Sequence, residues 1–468
     1  MPAVEEYGVE PIPAELRTTR WRDLFAINFT FFLNPVMYVV GAIAVAGFDL
    51  PLWWAILAIV VGQALAYAVM IPIAEVGVDY GLPGQVAARA TLGFWGARLL
   101  SSPYRVIAAT YWFAAQAIAA GYAIQAVVQA MGGGKPPLIP VALGVGALHA
   151  TLAVLGFDVM RWLLRVVLPI SLVFVGVIVS LYVSTDNSRF QVGRVFDSPE
   201  QHLTWVGFAG AVTLMAGSTL TLVTNVADFC RYTPTHRDVR IGLAGSAIAA
   251  VVVDAFVGGY AAAATGETNP FIAVADLTSS KALLAVLLVA IVVQGISANI
   301  GNVYTAGLSL VNSVPVLGRV RATLLVAAAA VGLSAAPDVI DSAQRWIVHL
   351  GNVAAPLAAV MLVDYAVVKR RRIDVAALFD PNGPYRYLNG VNVPAFLAIG
   401  AGVGLYYSLS HAWLKIAWGI GVAAIVYLLC QRLLEWKLSR GQTPVGVSPR
   451  GSSQTPTVAS SQRSSSPS

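Results

Sequence analysis

Apolar runs of roughly 17 to 25 residues, the length a helix needs to cross a bilayer, recur along nearly the whole chain. Twelve can be read, centred near residues 36, 63, 116, 147, 174, 215, 253, 293, 329, 356, 401 and 425. Hydrocarbon offers backbone amides and carbonyls no partner, so such a chain must satisfy them within helices packed into a bundle. Of the 468 residues 57% are hydrophobic and 11% charged, whereas soluble domains carry about 25% charged residues. The pattern predicts an all-α, polytopic membrane protein with twelve transmembrane helices.

The net charge of +6 invites a nucleic-acid reading, which the distribution of the charge removes. With the N-terminus placed in the cytoplasm, 23 of the 29 Lys and Arg fall on the cytoplasmic side, Arg89, Arg98 and Arg105 among them. Lys135, Arg189, Arg194, Lys281, Arg345 and Lys415 fall outside. That bias is the positive-inside rule for spans with both ends inside. Basicity here reports topology in a cell membrane. Cys230 and Cys430 fall at cytoplasmic span ends, where thiols stay reduced, so no disulfide is expected. Residues 1–22 read as a polar cytoplasmic segment without a cleavable signal peptide, and the first span is expected to act as the insertion signal. Residues 441–468, rich in Ser, Thr, Gln and Pro, contain too little apolar surface to offset the entropy of ordering and are expected to be disordered.

Three apolar runs carry conspicuous polarity. Span 1, FTFFLNPVMYVVGA, places Asn34-Pro35 at its middle, where proline interrupts the helical ladder. Span 6, LMAGSTLTLVTNVADF, holds Gly217, Ser218 and Thr219, followed by Thr221, Thr224 and Asn225. Span 8, VVQGISANIGNVYTAG, contains Gln294, Ser297, Asn299 and Asn302. Irregular backbone at membrane depth is tolerated where it lines a cavity or is buried by other helices. Spans 1 and 6 lie five apart, and breaks at matching places in two halves point to a transporter built from inverted repeats. Each feature alone has a plainer account, since Gly, Ser and Thr also serve close helix packing.

In span 3, VIAATYWFAAQAIAAGY, Trp112 and Gln116 are four residues apart and share a helix face. An indole for stacking beside an amide with donor and acceptor suits a planar ring with N–H and C=O groups; an interfacial or core tryptophan is the bland alternative. Asp254 in span 7 is a buried carboxylate at mid-depth, either a proton carrier or a hydrogen-bonded side chain between helices. His149 and His349 stand singly, without metal-ligand spacing, and read as packed or hydrogen-bonded. Glu75, Asp228 and Asp364 read as interfacial ion pairs at cytoplasmic span ends. The chain lacks a phosphate loop, HExxH, GxSxG and paired cysteines. A membrane-embedded enzyme would need a nucleophile–base pair or metal cluster at one depth, and a channel would repeat polar rings along a pore.

Four stretches resemble the nucleobase–cation symporter family of cytosine, purine, uracil, thiamine, allantoin and hydantoin permeases. They are YGLPGQVAARATLGFWGARL (80–99), YWFAAQ in span 3, ADFCRY (227–232), and APLAAVMLVDYAVVKRRRIDVAALF with GPYRYLNGVN (355–379 and 383–392). The resemblance implies a LeuT-like fold: inverted repeats over about 23–185 and 203–368, with two appended helices over about 391–436, in a transporter domain of 23–440. It implies a substrate ring stacked on Trp112 and hydrogen-bonded by Gln116, with Gly217, Ser218, Thr221 and Asn302 around it; Asn34, at the span 1 break, is expected to face the same pocket. The family's second stacking aromatic falls on Thr219, a departure from the pattern. For a coupling cation it implies carbonyls near Phe29 and Phe32 with Val293, Ile296 and the Ser297 hydroxyl. Ile296 replaces a hydroxyl found in some members and leaves a proton, through Asp254, as competitor to Na+. The expectation is a symporter importing a cytosine- or purine-like base with Na+ or H+, an allantoin or hydantoin permease being the alternative. No enzymatic activity, cofactor, further metal or nucleic-acid partner is expected.

Overall fold

The computed structural model describes residues 8–154, 157–197, 202–409 and 414–441, the side chains of 157–165 and 435–441 excepted. The tail expected to be disordered over 441–468 lies, past Gly441, outside them, as do the side chains of Arg161 and Arg165. Among the described residues every regular element is helical. In chain order the principal helices are α1 Trp21–Phe32, α2 Pro35–Ala46, α3 Leu52–Tyr80, α4 Gly84–Leu92 and α5 Phe94–Ala130. They continue with α6 Leu138–Ala153, α7 Phe157–Ser184, α8 Trp205–Leu220, α9 Val226–Cys230, α10 His236–Thr265 and α11 Lys281–Ser313. The last four are α12 Gly318–Leu333, α13 Ala343–Val363, α14 Val393–Ser408 and α15 Lys415–Gly441. Residues 1–428 form one compact unit, and 429–468 a second, of which the end of α15 is the described part.

Among the described residues eight helices are long and apolar enough to cross a membrane, and α1 with α2, bent by 60° at their break, together pass the same test as one span. Three of the twelve expected spans, near residues 147, 215 and 401, fall on α6, α8 and α14, of 16 residues each. At 1.5 Å per residue such a helix covers about 24 Å, short of the roughly 30 Å hydrocarbon core. For α8 the reason is local: the span continues through a turn at 221–225 into α9.

Helix ends follow the sequence punctuation. Gly81 stops α3 with a left-handed φ of 68°, its N–H bonded to the Gly77 carbonyl; without a Cβ it escapes the steric cost of that conformation. Packing is by close backbone approach at small residues. α2 lies along α10, α3 along α8, and α5 along α11. α8 and α13 touch at Gly217 and Gly351, where a Cβ on Gly351 would come 2.6 Å from the Gly217 Cα. The α1–α2 and α8–α9 breaks are thus flanked by α3 and α10, and face α5 and α11.

Candidate functional site

The break after α1 is closed by one side chain. Asn34 has extended backbone and stands at the N-cap of α2. Its Oδ1 accepts the Met37 N–H at 3.0 Å and its Nδ2 donates to the Phe31 carbonyl at 2.7 Å. One amide therefore satisfies an orphan carbonyl of α1 and an orphan donor of α2. Pro35 follows at the first helical position, where a missing N–H does no harm. Gln116 on α5 completes the joint, donating to Asn34 Oδ1 and accepting the Val36 N–H at 3.4 Å.

The second break lies later than the sequence suggests. α8 remains helical through Gly217, Ser218 and Thr219 to Leu220, and the chain unwinds over 221–225. Gly217 serves the contact with Gly351, and Thr219 turns to Gln63 of α3, to which its hydroxyl donates. Neither lines the cavity described below. Thr221 is the pivot: its Oγ1 accepts the Trp112 indole N–H at 3.0 Å and donates to the Ser218 carbonyl at 2.6 Å. Trp112 is thereby held edge-on to the break, with Tyr111 packed T-shaped against it, ring centroids 5.3 Å apart.

Between the breaks lies a narrow cavity. Of the residues singled out in the sequence, Asn34, Trp112, Gln116, Ser218, Thr221 and Asn302 line it. Phe31, Phe32, Met37, Leu222 and Ala298 complete the wall. Phe32 was placed in the sequence by its carbonyl, whereas its residue also borders this cavity. Met37 lies three residues after Asn34 and Ala298 four before Asn302, so helical spacing could have found both.

Where α1 ends, the carbonyl dipole points outward with partial negative charge. The Phe29 carbonyl takes the Leu33 N–H at 2.9 Å. Ser297 on α11 donates to the Thr30 carbonyl at 2.5 Å and more weakly to Gln294 O at 3.4 Å. The Ser297 hydroxyl thus meets the last turn of α1 at Thr30, a residue the sequence did not single out. Of the other cation candidates, Ile296 packs in an apolar cluster with Ile27, and Val293 is half-buried on the same helix. The other span 8 polar groups turn away: Gln294 donates to Tyr38 OH at 2.8 Å, and Asn299 meets His149 Nδ1 at 2.9 Å. His149 is buried and bonded through Nε2 to Val292 O; His349 bonds Tyr407.

Asp254 does not reach the cavity. It sits on α10 opposite Gly41 of α2, buried, and neither oxygen has a hydrogen-bond partner among the described residues. Of the carboxylates at span ends, Glu75 pairs with Arg240 and Arg371 at 2.7 Å each, and Asp364 with Lys369 at 2.5 Å. Asp228 accepts the Gly84 N–H at 2.7 Å. Arg89, in the glycine-rich stretch, is buried and donates to Asn312 and to the Leu378 carbonyl at 3.0 Å. Burial and the neighbouring Arg98 lower its pKa to about 10, so it stays charged at neutral pH. Arg105, counted with the loops in the charge distribution, lies fully buried in α5 against α11. Its position seven residues before Trp112, two turns along one face, was the missed signal.

The comparisons with known proteins come from sequence and from structure. A family model described as "Permease for cytosine/purines, uracil, thiamine, allantoin" matches residues 11–428. The hydantoin permease of Microbacterium maritypicum is 24% identical, over 88% of this chain and 85% of its own length. The allantoin permease of Bacillus subtilis (strain 168) is 23% identical, over 90% and 92%. Mhp1, a nucleobase-cation-symport-1 family transporter, in a closed conformation with bromovinylhydantoin bound, superposes with a TM-score of 0.79. That match has 20% identity and covers 93% of this chain and 97% of Mhp1. A Na+-coupled sialic acid symporter gives 0.60 at 12% identity, over 90% and 91%. These likenesses show the LeuT-like fold.

Proposed function

The chain belongs to the family of permeases for cytosine/purines, uracil, thiamine and allantoin, and from that membership we propose that it imports a planar ring amide coupled to a cation. The observation that carries this reading is the cavity at the two helix breaks, with Trp112 fixed in its wall by Thr221. A flat ring enters the cavity and stacks on the indole face, whose orientation the bond from Trp112 to Thr221 fixes. A cytosine- or purine-like base is the first reading. The hydantoin and allantoin permeases among the relatives support the second reading, a five-membered ring amide.

Na+ is the coupling ion we favour. Thr30 O and Ser297 Oγ already lie together at the carbonyl end of α1, the kind of place where half-helix ends hold Na+ in such transporters. Asp254, the proton candidate, lies off the cavity. In this scheme the cation binds the α1–α11 seam and steadies the break, favouring the substrate-competent state by its differential affinity. Residues 23–185 and 203–368 act as two inverted repeats with 391–436 appended, both termini face the cytoplasm, and the protein resides in the cell membrane.

The test is uptake of radiolabelled cytosine, uracil, adenine, hypoxanthine, allantoin and hydantoin into proteoliposomes, with and without a Na+ gradient. Saturable uptake of at least one, abolished by Trp112→Ala at normal membrane abundance, is expected. Uptake by the Trp112→Ala protein equal to the wild type would refute the stacking site.

A further inference from the structure

Most polar groups around the cavity are spent on one another. Asn34 and Gln116 bond each other and the ends of α1 and α2, and Thr221 both donates and accepts. Two groups remain without a hydrogen bond among the described residues: the Ser218 hydroxyl and the Asn302 Nδ2. Why Asn302 presents nitrogen rather than oxygen is decided one layer further out.

Arg105 donates from Nη2 to Asn302 Oδ1 at 2.9 Å and to Thr305 Oγ1 at 2.8 Å, and from Nε to Thr305 Oγ1 at 3.1 Å. A guanidinium has donors only, so the amide atom beside it must be the oxygen. Thr305 gives its own proton to Gly301 O at 2.9 Å and is left as an acceptor for Arg105. The orientation of the Asn302 amide is therefore fixed from behind by a side chain that cannot accept. A fully buried arginine inside an apolar span is costly and calls for a functional account.

We infer that Arg105 is a positioning residue that sets the hydrogen-bond polarity of the pocket, turning Asn302 Nδ2 to the substrate so that the ring is read through a carbonyl. This deepens the proposed function and rests on it. A ring offering an amino group at that place would leave two donors facing each other. A site built to pair one polar group discriminates strongly against its mismatch, because the buried partners stay unsatisfied.

The experiment is inhibition of wild-type uptake by matched pairs: hypoxanthine against adenine, uracil against cytosine, and hydantoin against glycocyamidine. Each pair exchanges an oxo for an amino or imino group. In the wild type the oxo member of the inhibiting pair is expected to bind at least about tenfold more tightly. In Arg105→Met the Asn302 amide is free to turn and offer oxygen, so the ratio falls to within about threefold of unity. Thr305→Val, nearly isosteric, removes the anchor of Arg105 and moves the ratio the same way by a smaller factor. An arginine needed only for folding would lower uptake of every substrate alike and leave the ratio alone. Equal inhibition within every pair in the wild type overturns the inference, as does an unchanged ratio in both variants. If Arg105→Met fails to reach the membrane, Thr305→Val decides alone. A wild-type protein that takes up no ring amide defeats the proposed function as well; one that transports with an unaltered ratio in the variants defeats this inference only.

Discussion

The two helix breaks solve the same problem in opposite ways. At the first, the turn is abrupt, 60° between α1 and α2, and Asn34 closes both exposed helix ends at once. At the second, the chain passes through consecutive three-residue turns, with N–H groups of 221, 222, 223 and 225 bonded to carbonyls three residues back. Its buried side chains are left open: Thr224 Oγ1 and both amide atoms of Asn225 have no hydrogen-bond partner among the described residues. A sealed joint is preorganised, whereas buried polar groups without partners hold a segment close in energy to alternatives that would satisfy them. The first break is therefore a fixed corner of the cavity, and the second the element better suited to rearrange.

The largest expected effect tests the sealed joint. Asn34→Ala removes the cap of α2, the bond to Phe31 O and the partner of Gln116. Losing a cap costs about 1 kcal/mol, and each stranded buried group about 1–3 kcal/mol. Uptake should be lost and the melting temperature in detergent should fall by several degrees. Near-normal transport by this variant would mean that the corner is not fixed by Asn34.

The next effect concerns how the open joint is tied to α5. Trp112→Phe keeps an aromatic face but loses the donor to Thr221; Thr221→Val loses the acceptor. Each should raise the substrate KM about tenfold, the equivalent of a hydrogen bond worth roughly 1.4 kcal/mol. Because both remove one interaction, the double variant should be little worse than either single one. Full additivity in KM would show that the indole and the hydroxyl act separately. On the other side of the first joint, Ser297→Ala removes the hydroxyl at Thr30 O. The half-saturating Na+ concentration should rise about tenfold, as expected for losing one ligand-strength contact, with substrate KM at saturating Na+ nearly unchanged. If Na+ dependence is unaltered while Asp254→Asn uncouples uptake from a proton gradient, the coupling site is on α10.

The same contrast explains what was legible beforehand. Asn34-Pro35 is a local signal, a breaker and a cap side by side, and it marks its joint to the residue. Gly217-Ser218-Thr219 looks like a breaker too, yet glycine inside a span also permits helices to touch, and here it meets Gly351. Local sequence does not distinguish those uses; only the partner helix does. Hence the second joint lies four residues later, and Thr219 faces α3 rather than the pocket. Trp112 and Gln116 were readable because helical spacing puts them on one face. Arg105 was obscured by the charge bias of the loops, since a count of basic residues near span ends does not separate solvated arginines from buried ones. The twelve apolar runs carried the fold class, while the shortness of α8 follows from the break at 221–225, which hydropathy averages away.

The smallest effect is the sharpest test of the contrast, because its sign differs from the others. Thr224 is fully buried with an unpartnered hydroxyl in the open joint. Valine has nearly the same shape and replaces that hydroxyl with a methyl group. An unsatisfied buried hydroxyl is destabilising, so Thr224→Val should raise stability by about 1 kcal/mol, roughly 1 °C in melting temperature for a chain of this length. The gain should come with slower turnover, since a joint stabilised in one arrangement must still leave it during transport. A lowered melting temperature would mean that the Thr224 hydroxyl is satisfied, by water or by a shifted neighbour, and that the second break is as sealed as the first. A raised melting temperature with faster uptake would keep the open joint but take away its part in the rate-limiting motion.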